Sequence, residues 1–180
     1  IKKQGISEKR NGNNIIISLT SYTGRFSTLD LCIKSLLVQT IKPNKIILYL
    51  AEKDSKKIPS DILSLQQYGL EIRTVSEDYR PHKKYMYAME EFTDSLIITV
   101  DDDAIYSNNL VKALLDTHRK YPNAVVTGRA REIKITNGIF SPYNEWKLSG
   151  KREEPSMMML ATGVGGILYP PKLLDVDMAT

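Results

Sequence analysis

Three consecutive aspartates, Asp101, Asp102 and Asp103, follow the apolar stretch LIITV at residues 96–100. Adjacent carboxylates repel one another, and their oxygens are the ligands that Mg²⁺ and Mn²⁺ prefer, usually together with substrate phosphates. Alternate residues of an extended segment share a face, so we expect Asp101 and Asp103 to point together and Asp102 to point away. The spacing predicts a DxD metal site; a helix cap or an acidic turn is the structural alternative.

Apolar runs with the composition of strands alternate with segments whose apolar residues recur at helical spacing. Strands are predicted over residues 15–19, 45–50, 70–75, 95–100 and 124–129, and helices over residues 29–39, 61–69, 83–92 and 108–121. The run GILYP at residues 166–170 can add another strand. This alternation indicates an α/β fold, with a mainly parallel sheet covered by helices on both faces.

The composition is that of one globular domain. The chain has 180 residues, 42% of them hydrophobic and 26% charged. We expect a flexible tail over residues 1–13 and a single domain over residues 14–180, truncated at its C-terminal end. The net charge of +4 suits an anionic small molecule, and the scattered lysines and arginines argue against nucleic acid. Cys32 is the only cysteine, which excludes an internal disulfide and a cysteine-based metal site.

Polar residues follow several predicted strands at their carboxyl ends, which is where open α/β sheets bind ligands. Thr20, Ser21 and Tyr22 follow the first strand, Glu52 and Asp54 follow the second, and the three aspartates follow the fourth. We therefore expect all of these side chains to lie along one rim of the sheet.

No phosphate loop of the GxxxxGK or GxGxxG type follows the first strand, which excludes a P-loop and a dinucleotide fingerprint. A phosphate group would then be bound by basic side chains. The candidates are Arg25, Arg80, His82, Lys83 and Lys84. Lys84 is the strongest, because it opens a helix otherwise lined by tyrosine, methionine and alanine; for each of them a solvated surface position is the alternative.

Gly163, Gly165 and Gly166 belong to the stretch TGVGG, here called the glycine loop. Such a loop lets the backbone approach a neighbour closely, either at a tight bend that enters a strand or beside a bound sugar. Tyr143 and Trp146 precede it and could form an aromatic wall for a sugar ring, while core packing suits Trp146 equally well.

Taken in order, several stretches resemble the nucleotide-binding half of the GT-A fold glycosyltransferases. They are IIISLTSYTGR, CIKSLLVQT, KIILYLAEKD, HKKYMYAM and LIITVDDD, and they cover residues 14–130, with the glycine loop extending the likeness to about residue 170. Bacterial family-2-like enzymes and exostosin-type transferases, where a DDD stretch also occurs, are the most similar. The resemblance implies a Rossmann-like GT-A nucleotide-diphospho-sugar transferase fold.

The resemblance also implies an activity, which is metal-dependent glycosyl transfer. A sugar would move from a nucleotide-diphosphate sugar, a UDP-sugar being favoured, to a hydroxyl of a glycan or lipid-linked acceptor. The cofactor would be Mn²⁺ or Mg²⁺. Residues around the base and ribose would be Thr20, Ser21, Tyr22 and Arg25. Asp54 would meet the base, with Glu52 as the alternative.

On the sugar side the resemblance places four charged residues. Lys84 would lie near the diphosphate or the donor sugar, and Asp103 would take the divalent metal with Asp101. Asp102 or Asp101 would face the ribose and the sugar, and the glycine loop would border the donor and acceptor sugars.

In such enzymes the carboxylate that activates the acceptor usually lies farther along the chain. Asp175 and Asp177 are the only acids after the glycine loop, and their position beside PPKLL is typical of a helix start. We expect the catalytic base at one of these two residues or beyond residue 180, and either inversion or retention is compatible with the sequence.

Three other functions are compatible with parts of the pattern. A nucleotidyltransferase could use a similar sheet and metal, but it needs a glycine-rich basic loop after the first strand, where TSYTGRF is a poor match. A haloacid-dehalogenase-like phosphatase would use Asp101 as nucleophile, but its motif follows the first strand rather than the fourth. The last alternative is a non-catalytic nucleotide- or glycan-binding domain.

The sequence also bears on location. No apolar run approaches the roughly 20 residues that a membrane-spanning helix needs, and no signal peptide is visible. We therefore expect a cytoplasmic protein, which a lipid-linked acceptor would bring to the inner face of the membrane.

Overall fold

The computed structural model describes residues 4–8, 14–150 and 154–173. Its strands are β1 (Ile15–Thr20), β2 (Lys45–Ala51), β3 (Leu70–Val75), β4 (Leu96–Thr99), β5 (Val126–Thr127), β6 (Ala130–Glu132), β7 (Ile135–Thr136), β8 (Ile139–Phe140), β9 (Met159–Ala161) and β10 (Ile167–Tyr169). Its α-helices are α1 (Phe26–Leu37), α2 (Glu52–Ser55), α3 (Ser60–Leu63), α4 (Lys83–Glu91) and α5 (Leu110–Lys120).

The main sheet has six strands in the order β3-β2-β1-β4-β10-β5. The first four strands of the chain are parallel to one another, and β10 runs antiparallel between β4 and β5. From β1 the chain builds outward to β2 and β3 on one side, and β4 returns to the other side of β1. The strand order thus reverses beside β1, which opens a crevice at the carboxyl ends of β1 and β4.

The strands β1, β2 and β4 are buried on both faces, which explains why they are nearly continuous apolar runs, whereas the edge strand β3 is only part-buried. Ile17 and Leu19 point to the face that α1, α3 and α5 cover, whereas Ile16 points to the opposite face with Ala88 of α4. Neighbouring residues of a strand face opposite ways, so a strand covered on both sides needs apolar residues at every position. The α/β fold with helices on both faces is confirmed.

Some predicted elements are shorter or differently built. The helix expected over residues 61–69 is α3 followed by a 3₁₀ turn over Ser64–Tyr68, which ends at Gly69 with a φ of 109°. The strand expected over residues 124–129 is only β5, because its partner β10 pairs with it at two positions. Strand length here is set by the partner rather than by local composition.

The segment between β5 and β10 forms two small sheets. Strand β6 pairs with β9, and β7 pairs with β8 across a tight turn at Asn137 and Gly138, both with positive φ. The rings of Tyr143 and Trp146 lie 5.6 Å apart in this segment, and the Trp146 indole N–H donates to the Ser141 carbonyl. The aromatic wall for a sugar stays a prediction.

Residues 4–8, from the stretch that the sequence assigns to a tail, are hydrogen-bonded to the domain, and Ile6 packs against its core. The Gly5 N–H donates to the Tyr68 carbonyl at 2.7 Å, and the Ser7 N–H donates to the Pro43 carbonyl at 2.8 Å. Among the described residues, no helix is both long enough and apolar enough to cross a membrane.

Candidate functional site

A cleft of about 560 Å³ lies at the carboxyl ends of β1, β2 and β4. The residues that line it are Thr20, Ser21, Tyr22, Arg25, Lys53, Asp54, Asp78, Arg80, Pro81, Lys83, Lys84, Asp101, Asp102 and Asp103. Most of the residues singled out in the sequence therefore share one cleft. Glu52 and the three glycines of the glycine loop are not part of this lining.

The end of β1 supplies one wall of the cleft. The Thr20 hydroxyl donates to the Tyr49 carbonyl of β2 at 2.8 Å, so it ties the two strands together. The Ser21 hydroxyl, which is buried, donates to Oδ2 of Asp102 at 2.6 Å. Tyr22 is 53% exposed, and its ring centre lies 5.8 Å from the Arg25 guanidinium.

Arg25 lies between two of the three aspartates. Its Nη1 donates to Oδ1 of Asp102 and to Oδ2 of Asp103, both at 2.8 Å. Hydrogen bonding raises the pKa of Arg25 above its ordinary value; the bond to Asp102 contributes most and one with Tyr22 contributes next. One cationic nitrogen therefore touches both carboxylates at once.

This arrangement differs from the alternation expected for an extended segment. Strand β4 ends at Thr99, and Asp102 and Asp103 lie in a turn, so the rule that alternate residues share a face does not apply. Asp102 is 6% exposed and points inward, while Asp101 forms a separate ion pair with Lys84. The convergent pair is thus Asp102 with Asp103, and not Asp101 with Asp103.

Asp101 is held by the residues around it. Its N–H donates to the Tyr106 hydroxyl at 2.8 Å, and its carboxylate accepts from Nζ of Lys84. A Cβ added to Gly163 would lie 2.3 Å from Oδ1 of Asp101. The glycine loop therefore packs directly against this carboxylate, because β10 runs beside β4 and brings the preceding loop to its end.

Tyr106 and Ser18 support the site from beneath. Tyr106 is 7% exposed, and burial raises the pKa of its hydroxyl, which therefore stays protonated. The Ser18 hydroxyl of β1 donates to the Lys84 carbonyl and fixes the first turn of α4 to the sheet. Neither residue stood out in the sequence, since both positions look like ordinary core.

The opposite wall carries two further acids. Asp54 is 5% exposed and accepts from the Thr23 N–H at 2.9 Å and from its hydroxyl at 2.7 Å. Burial alone would raise the pKa of Asp54, but these two hydrogen bonds outweigh it and the pKa lies below its usual value. Asp54 is therefore an ionised acceptor at neutral pH.

Asp78 was missed in the sequence. It forms ion pairs with the buried Lys83 and with Lys53, the latter at 3.0 Å. Hydrogen bonds from Lys83 and then Lys53 lower its pKa to about 2. Asp78 follows the carboxyl end of β3, so the rule that pointed to Asp54 would have pointed to it as well.

The acids of the cleft are compatible with a shared divalent metal. The described residues contain no group of three or more His, Cys, Asp or Glu side chains that could hold a metal alone. Nevertheless, Asp102 and Asp103 converge on one cationic nitrogen, and Mg²⁺-type ions are commonly bound by one or two carboxylates plus phosphates. Asp175 and Asp177 lie outside the described residues.

A family model described as glycosyl transferase family 2 matches residues 16–167. The chain belongs to glycosyl transferase family 2. This confirms the resemblance to GT-A enzymes, and it supports an activity related to nucleotide sugars. A search of the curated proteins finds no significant match.

Solved structures share the fold of this family 2 domain. A 4-diphosphocytidyl-2C-methyl-D-erythritol synthase from Anaerococcus prevotii has a TM-score of 0.57 at 16% identity, over 91% of this chain and 72% of that one. A CMP:2-keto-3-deoxy-manno-octonic acid synthetase complexed with CTP has a TM-score of 0.52 at 14% identity, over 89% and 74%. S. aureus TarS 1-349 has a TM-score of 0.51 at 13% identity, over 72% of this chain and 38% of that one. At these identities the likeness shows the fold alone.

Proposed function

We propose that this family 2 domain catalyses metal-dependent transfer of a sugar from a nucleotide-diphosphate sugar to a hydroxyl of a glycan or lipid-linked acceptor. The observation that carries the proposal is that the carboxylates of Asp102 and Asp103 converge on the guanidinium of Arg25, in the crevice between β1 and β4. Two carboxylates that can share one cationic group can also share a metal ion. Lys84 faces the same cleft and adds a second positive charge for an anionic ligand.

The base and ribose would occupy the side of the cleft formed by the ends of β1 and β2. Tyr22 is exposed there and offers an aromatic face, and Asp54 offers an ionised acceptor. An acceptor of this kind suits the ring N–H of uracil or guanine, and we favour uracil. Glu52 is the weaker candidate, because it does not line the cleft.

The diphosphate would lie nearer the aspartates. We propose Asp103 as the metal ligand, because its side chain is 51% exposed. The second ligand would be Asp102, which converges with Asp103, or Asp101, which would first have to leave its ion pair with Lys84. A bound Mn²⁺ or Mg²⁺ would neutralise the charge that develops on the leaving diphosphate. Lys84 and Arg25 would stabilise the same charge from the protein side.

Glycosyl transfer and nucleotidyl transfer differ in the product that they release. Glycosyl transfer from a UDP-sugar releases UDP, whereas nucleotidyl transfer from a nucleoside triphosphate releases pyrophosphate. We favour the first, because the loop after β1 reads TSYTGRF and has a single glycine and a single arginine. Product analysis with UDP-sugars and with CTP or UTP distinguishes the two reactions.

The test is calorimetric titration of UDP and of GDP, each with and without Mn²⁺. We expect UDP to bind much more tightly with Mn²⁺ than without it, and Asp103→Asn to remove this gain. Asp116→Asn is the matched control, because Asp116 is a part-exposed acid of α5 that pairs with Lys112 and Arg119 away from the cleft. If folded wild-type protein binds neither nucleotide under any condition, the proposal is wrong.

A further inference from the structure

Arg25 occupies the position between the two carboxylates that converge. A single nitrogen, Nη1, is 2.8 Å from both Asp102 and Asp103, so a cation of the protein itself already balances one of their two negative charges. A divalent ion that binds Asp103 at this point would lie within a few ångströms of the guanidinium. Like charges at such a separation repel strongly enough to weaken ion binding roughly tenfold.

The residues of this cluster differ in their freedom to move. Asp102 is 6% exposed and is fixed by the buried Ser21 hydroxyl, so it cannot follow a departing partner. The Arg25 side chain is 42% exposed and that of Asp103 is 51% exposed, so both can turn into the cleft. Asp102 therefore stays in place when another cation arrives, and its contact with Arg25 is broken only if the Arg25 side chain turns away.

A bound diphosphate would offer Arg25 an alternative partner to the two aspartates. A guanidinium binds phosphate oxygens through two parallel hydrogen bonds, and Arg25 lines the same cleft as Lys84. We propose that Arg25 is an internal counter-ion, which keeps the divalent metal off Asp103 until a nucleotide diphosphate draws the guanidinium away. This inference rests on the function proposed above and adds an order of assembly to it.

The consequence is a coupling between metal and nucleotide. Binding equilibria are reciprocal, so the factor by which UDP tightens Mn²⁺ binding equals the factor by which Mn²⁺ tightens UDP binding. Part of that factor would come from the attraction between the divalent cation and the diphosphate itself. The remaining part comes from Arg25, and it disappears when the charge of Arg25 is removed.

The test measures Mn²⁺ binding without nucleotide, by the electron paramagnetic resonance signal of the free ion. We expect Arg25→Gln to bind Mn²⁺ roughly tenfold more tightly than the wild type, and Arg25→Lys, which keeps the charge, to resemble the wild type. The matched control is Arg80→Gln, because Arg80 lines the same cleft but forms no ion pair within the described ranges. Its Mn²⁺ affinity should stay within about twofold of the wild type.

The outcomes separate this inference from the proposed function. If Arg25→Gln binds Mn²⁺ no more tightly than the wild type, and this binding is still lost in Asp103→Asn, the counter-ion role of Arg25 is wrong while the proposed metal site stands. A similar gain in Arg25→Gln and Arg80→Gln also overturns it, since the effect would then be one of general charge. Absence of Mn²⁺ binding in every variant, with and without UDP, overturns the metal assignment together with the counter-ion. Thermal unfolding of each variant confirms that it is folded.

Discussion

Gly163→Ala tests the contact between the glycine loop and the aspartates. The added Cβ would lie 2.3 Å from Oδ1 and 2.7 Å from Oδ2 of Asp101. Ordinary contact needs roughly 3.4 Å, so the carboxylate must move by about 1 Å. That shift breaks the ion pair between Asp101 and Lys84, whose side chains are 30% and 15% exposed.

The expected loss of stability is moderate. Inserting a methyl group into a packed site usually costs about 1–3 kcal/mol, and the part-exposed ion pair adds only about 0.5–1 kcal/mol. Asp101 can relieve the clash by turning into the cleft, so we expect about 1–2 kcal/mol in all. The midpoint of urea unfolding, followed by far-ultraviolet circular dichroism, should fall by roughly 0.5–1 M.

A double-mutant cycle shows where the cost arises. In an Asp101→Ala background the carboxylate is absent, so Gly163→Ala should then cost less than about 0.5 kcal/mol. Gly150→Ala is the matched control, because a Cβ at Gly150 meets nothing within 4 Å. If Gly163→Ala is equally destabilising with and without the Asp101 carboxylate, the packing described here is wrong.

Three other predictions concern stability and reactivity. The pKa of Asp78 in the folded protein is lowered to about 2, so its ion pairs stabilise the fold above about pH 4 and are lost as the pH falls towards 2. In Asp78→Asn the free energy of unfolding, measured as a function of pH, should therefore fall by roughly 1 kcal/mol less between pH 4 and pH 2 than in the wild type. Burial raises the pKa of the Cys32 thiol to about 12, so native protein should react with iodoacetamide at pH 8 far more slowly than protein in urea, and fast native alkylation would contradict the burial. Leu29→Ala in the core should cost about 2–5 kcal/mol of unfolding free energy, whereas Leu31→Ala, at a 48% exposed position of the same helix, should cost less than about 0.5 kcal/mol.

The sequence predicted the sheet well where both faces are buried. The bounds of β1, β2 and β3 match the predicted strands within one residue. In β1 and β2 the reason is that a strand covered on both sides is a nearly continuous apolar run, whereas the edge strand β3 was predicted from its alternating pattern. The bounds of β5 could not be predicted in the same way. They depend on pairing with β10, which lies far along the chain and contributes two positions to that ladder.

The candidate site was predicted in its location but not in its detail. The rule that ligands bind at carboxyl strand ends brought Ser21 and Asp102 together, and the structure joins them by a hydrogen bond. The turn at Asp102 and Asp103 is the acidic turn that the sequence left as an alternative, but which carboxylates converge was not predictable, since that depends on tertiary partners such as Arg25 and Tyr106. The roles of these residues in binding a metal or a nucleotide stay predictions.

The position of β10 has a consequence for how the chain acquires its structure during synthesis. Strands β1 to β4 come from residues 15–99 and can pair with one another before the later strands are made, but β5 can join the sheet only through β10, which lies between β4 and β5 and is made last of the three. Throughout that interval the inner edge of β4 is open to pairing with other chains, a situation that favours association of nascent polypeptides. The glycine loop immediately precedes β10, so Asp101 gains its contact with Gly163 and β4 loses its open edge in the same step of folding.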